Sequence, residues 1–445
     1  MGSDPLTRIL ADLAKTDPSL AQGAEMVFDA LTAGEGIDVI DLARVQRFAW
    51  FELPVKWIGP QGSHGDILEA GAALFDALDM PRYAEVFRNP MTVEIQDAYK
   101  WSQKAGYGAF LKAYEKSGIV PPDLDDFAWS KFMGLSEVAA DSAVERALEE
   151  AIVDGRMKPG SRGWKTTAAD ITRGVLDGPR PDFPGQTYRT TIVTERVDFW
   201  LREAEKRSPR LYALRSTIVN RLLHPIPAPS DILERVEPIV WFLDRIDRGV
   251  TLTQAGYLPT AMVREGYDLY GWGPAWTERA PHGESDSGGL THVHSLMHQL
   301  GAVRPRHRTV VITEKGRRMR DDPDLAWRIV AAGLSGGEWD RAVAEVYTLL
   351  ILDGVSLNDD LVTRATVILG EWGWRVDEDT TDGRVPPDER SVSYAWHQTY
   401  WPLQVLAGAI ETGRWPNRAT ELTDFGRATL LEQIRAEAAG PRSAV

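Results

Sequence analysis

Apolar residues recur every three or four positions through most of the first 225 residues, a spacing typical of amphipathic helices. One such stripe consists of Val144, Leu148 and Ile152, and it stops before Gly155, a residue type that favours helix ends. Segments rich in glycine or proline separate the stripes. The pattern predicts a helical N-terminal domain over residues 1–180.

Proline-rich segments mark the next boundaries. Residues 177–186 and 224–230 each carry three prolines, which a helix interior does not tolerate. Between them, two apolar stripes meet at Ser208–Pro209, a cap residue followed by a proline suited to the first helical turn. These features predict a pair of antiparallel helices that forms a connector over residues 190–229.

The second half of the chain contains a pair of short motifs that occurs twice. Gly-Val-Thr-Leu at 249–252 is echoed by Gly-Val-Ser-Leu at 354–357. A Gly/Trp cluster follows in each copy. Each copy then ends with an aliphatic-Thr-x-x-Gly-Arg motif, at 312–317 in the first copy and at 422–427 in the second. Because the order and the spacing of the motifs match, they predict two copies of one structural unit that superpose.

The first copy predicts a definite order of elements. A helix is followed by a short β-branched strand at 250–253 and by helices at 259–270 and 290–300. Residues 303–313 are typical of a β-hairpin that carries arginines at its tip. Thr313 is suited to cap a further helix.

This order resembles the winged-helix form of the helix-turn-helix superfamily, over residues 230–320 and again over 338–438. The resemblance implies two winged-helix-like domains, at 230–335 and 336–445, and binding to DNA. The loop at 271–289 departs from the family, whose second and third helices are joined by a few residues. The whole chain also resembles multi-domain proteins of high-GC actinobacteria, which implies no particular activity. The expected fold is mainly α with small β-hairpins.

Composition narrows the class of protein further. The chain has 445 residues, 43% hydrophobic and 26% charged, which is typical of a globular protein of roughly three domains. Cysteine is absent, which excludes disulfides and thiolate ligands and fits the cytoplasm. The N-terminal residues lack the apolar run of a secretory signal, and no apolar stretch approaches about 18 residues. We therefore expect a cytoplasmic protein without a membrane segment.

The charge of the chain is unevenly distributed. The net charge is −15, yet the segment 304–320 holds six arginines and one lysine against one glutamate. A positive segment on an acidic chain indicates an anionic partner, either DNA or an acidic protein surface such as the segment 377–389 of this chain. The candidate binding residues are Arg304, Arg306, Arg308, Lys315, Arg317, Arg318 and Arg320.

Histidines form the second candidate site. Four of the eight histidines lie between positions 282 and 298, and His294 and His298 are four residues apart. On a helix this spacing turns both imidazoles to one side, as a zinc ion requires. The interpretation favoured by the sequence is an exposed polar helix face, with Zn²⁺ binding by His294 and His298 as the alternative.

Three hypotheses follow for function. The favoured one is a non-enzymatic protein, regulatory in role, that uses winged-helix domains to bind DNA. The second is a protein–protein scaffold, including a homo-oligomer, that makes no contact with nucleic acid. The third is a metal-dependent enzyme at the histidine segment. The phosphate-binding motif G-x-x-x-x-G-K-[ST] is absent, no catalytic residue is predicted, and Zn²⁺ is the sole candidate cofactor.

Overall fold

The computed structural model describes residues 5–57, 63–272, 280–333, 337–355, 359–377, 384–396, 410–412 and 420–442. Over these residues the protein is mainly α-helical with small antiparallel β-sheets, as the sequence predicts. The chain divides into two compact units, one of residues 1–192 with 441–445 and one of residues 193–440. The finer division into four domains stays a prediction.

The first unit is built from helices around an aromatic core. Its helices are α1 (Pro5–Thr16), α2 (Pro18–Thr32), α3 (Leu42–Arg47), α4 (Leu53–Lys56), α5 (Ser63–Ala77), α6 (Pro81–Arg88), α7 (Pro90–Trp101), α8 (Gln103–Ser117), α9 (Leu135–Val153) and α10 (Trp164–Asp177), and its strands are β1 (Pro179–Arg180) and β2 (Phe183–Thr187). In the core, the Trp50 indole donates a hydrogen bond of 2.7 Å to the Thr92 hydroxyl. Phe75 and Phe87 stack nearby.

Helix α9 buries a row of carboxylates on successive turns. The row consists of Glu137, Asp141, Glu145 and Glu149. Except for Asp141, these side chains belong to residues that are at most 8% exposed. At the ends of the row, backbone N–H groups supply hydrogen bonds, from Ser130 to Glu137 at 2.5 Å and from Leu42 to Glu149 at 2.7 Å. Buried carboxylates require such partners, because the loss of hydration otherwise costs several kcal/mol.

The two central carboxylates of this row share one cation. Glu145 accepts hydrogen bonds from the Arg47 guanidinium and the Tyr114 hydroxyl. Burial raises the pKa of Glu145 to about 7 and that of Asp141 to about 6, against the opposing attraction of Arg47. Both carboxyl groups therefore bind protons more tightly in the folded unit than in the unfolded chain.

The second unit contains most of the remaining elements. Its helices are α11 (Tyr188–Glu205, which begins in the first unit), α12 (Pro209–Leu222), α13 (Ile232–Ile246), α14 (Thr260–Tyr270), α15 (Gly288–Gln299), α16 (Glu314–Asp321), α17 (Pro323–Ala332), α18 (Glu338–Leu352), α19 (Asp359–Trp372), α20 (389–396) and α21 (Asp424–Ala438). Its strands are β3 (Val250–Thr251), β4 (Val303–Arg306), β5 (Thr309–Ile312), β6 (Val376–Asp377), β7 (Arg384–Val385), β8 (Ile410–Thr412) and β9 (Thr420–Leu422).

A buried arginine joins four helices of this unit. Arg215 on α12 is 1% exposed, and its Nε donates a hydrogen bond of 2.7 Å to Glu345 on α18. A second guanidinium nitrogen donates to the backbone carbonyl of Trp200 on α11. The guanidinium carbon lies 4.3 Å from the centre of the Trp200 ring and 5.3 Å from that of Trp372 on α19. The charge is thus compensated by a carboxylate and two aromatic faces.

Strands β3, β4 and β5 form a three-stranded antiparallel sheet in the order β3–β5–β4. Val250 pairs with Val310, and Arg306 pairs with Thr309 across a two-residue turn. His307 in that turn has φ +56°. The predicted hairpin at 303–313 is therefore confirmed, and the predicted strand at 250–253 is confirmed over its first two residues. The buried side chains of Val303 and Val310 anchor the sheet to the core.

The recurring sequence motifs coincide with helix ends. Gly249 and Gly354 each follow a helix with positive φ, and each donates its N–H to a carbonyl three residues earlier, at 2.8 and 3.0 Å. Thr313 and Thr423 each cap a helix by accepting the N–H of the glycine three residues later, at 3.1 and 3.0 Å. Residues 356 and 357, the last two of the second opening motif, lie outside the described residues. The superposition of the two copies therefore stays a prediction.

The closing motif requires glycine for steric reasons, at least in the first copy. A Cβ at Gly316 would lie 2.1 Å from the carbonyl oxygen of Ala302. We expect Gly316→Ala to lower the free energy of unfolding by about 1–3 kcal/mol, as for other overpacked sites. Gly288→Ala is the matched control, because nothing lies within 4 Å of a Cβ there. Urea unfolding compares the two variants, and equal stabilities would contradict the close approach.

Candidate partner-binding hairpin and histidine cleft

The β4–β5 hairpin carries three of the predicted binding residues at its outer end. Arg304 and Arg306 lie on β4, one of the two edge strands, and Arg308 lies in the turn. All three are exposed, and within the described residues none of their guanidinium groups has a hydrogen-bonded or ion-pair partner. Pro305 and the arginines also keep this edge from pairing with another strand. We call Arg304, Arg306 and Arg308 the hairpin tip.

The remaining predicted binding residues lie on α16, where carboxylates neutralise two of them. Arg317 contacts Glu314 at 3.3 Å and Asp247 at 3.8 Å. Arg320 contacts Asp247 at 3.2 Å and Asp321 at 2.8 Å. The structure thus divides the basic segment into ion-paired arginines on α16 and an uncompensated hairpin tip.

Lys315 and Arg318 complete the basic segment on α16. Burial lowers the pKa of Lys315, and the charge of Arg318 lowers it further. Arg318 itself is half-buried. The acidic segment 377–389, predicted as one partner for the arginines, lies partly outside the described residues.

Helix α15 lines an open cleft of about 400 Å³ with its polar face. The cleft is lined by Gly256, Tyr257, Glu284, Thr291, His294, Ser295, His298 and Gln299. His294 and His298 therefore face the same space, as their spacing predicts. His282 and His292 do not line the cleft, and His292 Nδ1 instead lies 2.5 Å from the carbonyl oxygen of Gly288.

A buried carboxylate orients His294. Glu284 is 4% exposed, and its Oε1 lies 2.7 Å from His294 Nδ1. Its other oxygen accepts the N–H of Leu258 at 2.6 Å. Because a carboxylate accepts hydrogen bonds, Nδ1 donates and Nε2 is the nitrogen left for a ligand. The ring of His294 also packs against that of Phe242, with 5.9 Å between centroids.

The electrostatics of α15 differ from those of the hairpin. The helix holds no lysine or arginine, so its polar face offers hydroxyl, amide and imidazole groups alone. In the part of the chain that the structure describes, no three His, Cys, Asp or Glu side chains converge as ligands for a metal ion. Among the described helices, none is both long and apolar enough to cross a bilayer.

Two buried charged features are not predicted from the sequence. One is the carboxylate row of α9, whose four-residue repeat is visible in the sequence. The other is Arg215, which stands within the apolar stripe of α12. A charged residue inside an apolar stripe is the signal that identifies it.

No protein-family model, curated protein or solved structure matches the chain. The interpretation of the hairpin tip and of the cleft of α15 therefore rests on their own geometry.

Proposed function

We propose that this chain is a non-enzymatic, cytoplasmic protein that binds duplex DNA through the hairpin tip and acts as a regulator. The observation that carries the proposal is the uncompensated charge of Arg304, Arg306 and Arg308 on a chain of net charge −15. The arginine guanidinium binds phosphate oxygens through two parallel hydrogen bonds, and it keeps its charge at any physiological pH.

The order of the elements supports a winged-helix interpretation of residues 232–312. Helix α13, strand β3, helices α14 and α15 and the β4–β5 hairpin follow one another as in that superfamily. The return strand β5 lies between β3 and β4. In this arrangement the hairpin is the wing. Since α15 has no lysine or arginine, we expect contacts to the DNA backbone to dominate and sequence preference to be weak.

Replacing Arg304, Arg306 and Arg308 together by alanine is expected to weaken binding to a duplex of mixed sequence at least about tenfold at low salt, because three phosphate contacts are lost. The matched control is Arg317→Ala with Arg320→Ala, which removes two cations that carboxylates already neutralise. Fluorescence anisotropy measures both variants. Equal losses of affinity in the two variants would contradict a specific role of the hairpin tip.

A protein–protein scaffold is the second candidate. The observation that favours it lies in the first unit, where Trp101 is 87% exposed, Leu135 is 88% exposed and Phe132 is 60% exposed. Phe132 and Leu135 are three residues apart in the sequence, and exposed apolar side chains that lie together are typical of contact surfaces. A stable complex, with a partner or with a second copy, that forms without nucleic acid and tolerates the triple arginine substitution would favour this candidate.

A further inference from the structure

We propose that His294 and His298 bind one transition-metal ion, with Zn²⁺ as the expected ion, in the cleft of α15, and that Glu284 positions His294 for it. The proposal does not depend on DNA binding. It concerns residues that the hairpin tip does not use.

The proposed ligands are the imidazoles of His294 and His298. Both histidines line one cleft, one helical turn apart, and the exposed imidazole of His298 has no hydrogen-bond or ion-pair partner among the described residues. His294 presents Nε2, since Glu284 holds its Nδ1 at 2.7 Å. Two imidazole nitrogens favour zinc and its neighbours in the transition series over magnesium or calcium, which prefer oxygen ligands.

The carboxylate of Glu284 positions the ring of His294 through its Nδ1. A ligating histidine usually donates its other N–H to a carboxylate, which fixes the ring and makes it a stronger ligand. Glu284 is rigid in this role, because Leu258 donates to its second oxygen and Thr291 donates to its backbone carbonyl at 2.7 Å.

The buried negative charge of Glu284 favours a cation at His294. Among the described residues, His294 is the one side chain beside Glu284 that can carry a positive charge. A carboxylate that is 4% exposed is costly without a positive charge nearby. A metal ion on His294 supplies that charge through the imidazole. Because no third His, Cys, Asp or Glu side chain converges on this site among the described residues, water fills the remaining positions of a tetrahedral zinc ion. The hydroxyl groups of Thr291 and Ser295 line the same cleft.

The test is titration of the untagged full-length chain with Zn²⁺ in a calorimeter, without nucleic acid. We expect saturable binding of one ion per chain. His298→Ala removes a ligand and is expected to weaken binding at least tenfold, and Glu284→Gln is expected to weaken it by about 10–100-fold. His292→Ala is the matched control on the same helix and should leave affinity unchanged.

Circular dichroism checks that each variant is folded. Because His298 is exposed, its replacement keeps the test valid if Glu284→Gln fails to fold. Absence of saturable binding, or an equal loss in His292→Ala and His298→Ala, would overturn the proposal. Neither result bears on the hairpin tip, because DNA takes no part in the assay.

Discussion

Replacing Arg215 by alanine is expected to lower the free energy of unfolding of the second unit by about 3–5 kcal/mol, the usual cost of removing one partner of a buried ion pair. The substitution leaves Glu345, which is 5% exposed, without its cation. It also opens a cavity between the rings of Trp200 and Trp372. Chemical denaturation followed by tryptophan fluorescence measures the loss.

The matched control is the exposed ion pair between Arg202 and Asp198 on α11. Arg202→Ala should cost at most about 1 kcal/mol, because exposed pairs contribute little. A double variant, Arg215→Met with Glu345→Met, should recover much of the loss, since apolar side chains of similar size replace buried ion pairs well. A loss below about 1 kcal/mol for Arg215→Ala would show that the guanidinium is not a structural centre.

The stability of the first unit is expected to fall by about 4 kcal/mol as the pH rises from 5 to 8. Folding raises the pKa of Glu145 to about 7 and that of Asp141 to about 6, from ordinary values near 4. In this window the folded unit binds more protons than the unfolded chain, so deprotonation favours unfolding. Asp76 affects stability at lower pH, because its pKa is lowered in the folded unit. Its contribution to the stability of the first unit is lost as the pH falls through the acidic range.

Thermal unfolding of the full chain across the same pH range tests this expectation, with attention to the transition of the first unit. Glu145→Gln is the informative variant, because it keeps the shape of the side chain and removes its titration. The pH dependence should be flatter in this variant. Stability of the parent that is constant or rises from pH 5 to 8 would contradict the proton uptake assigned to Glu145 and Asp141.

Local chemistry made part of this fold predictable. The hairpin at 303–313 follows from β-branched residues on both sides of a polar turn, and the cap at Thr313 depends on residues three positions apart. The helix predicted at 259–270 is observed as Thr260–Tyr270, and the helix predicted at 290–300 is observed as Gly288–Gln299. In each case neighbouring residues determine the outcome.

The rest depends on contacts between distant residues. An acidic residue on every turn of α9 is equally typical of a solvated face, and Arg47 and Tyr114 from other helices decide that this face is buried. The spacing of His294 and His298 shows that they share a face of α15. The orientation of the His294 ring depends on Glu284, ten residues away in a separate turn.

The most direct test of the DNA-binding proposal is the dependence of affinity on salt. Three phosphate contacts at roughly −0.9 each contribute about −2.7 to the slope of log affinity against log salt. Between about 50 and 200 mM salt, we expect the triple variant of Arg304, Arg306 and Arg308 to have a slope about 2.7 less negative than that of the parent. The Arg317→Ala, Arg320→Ala control should keep the slope of the parent. A triple variant with the parent's slope and affinity would contradict the account, because the hairpin tip would then make no contact with DNA.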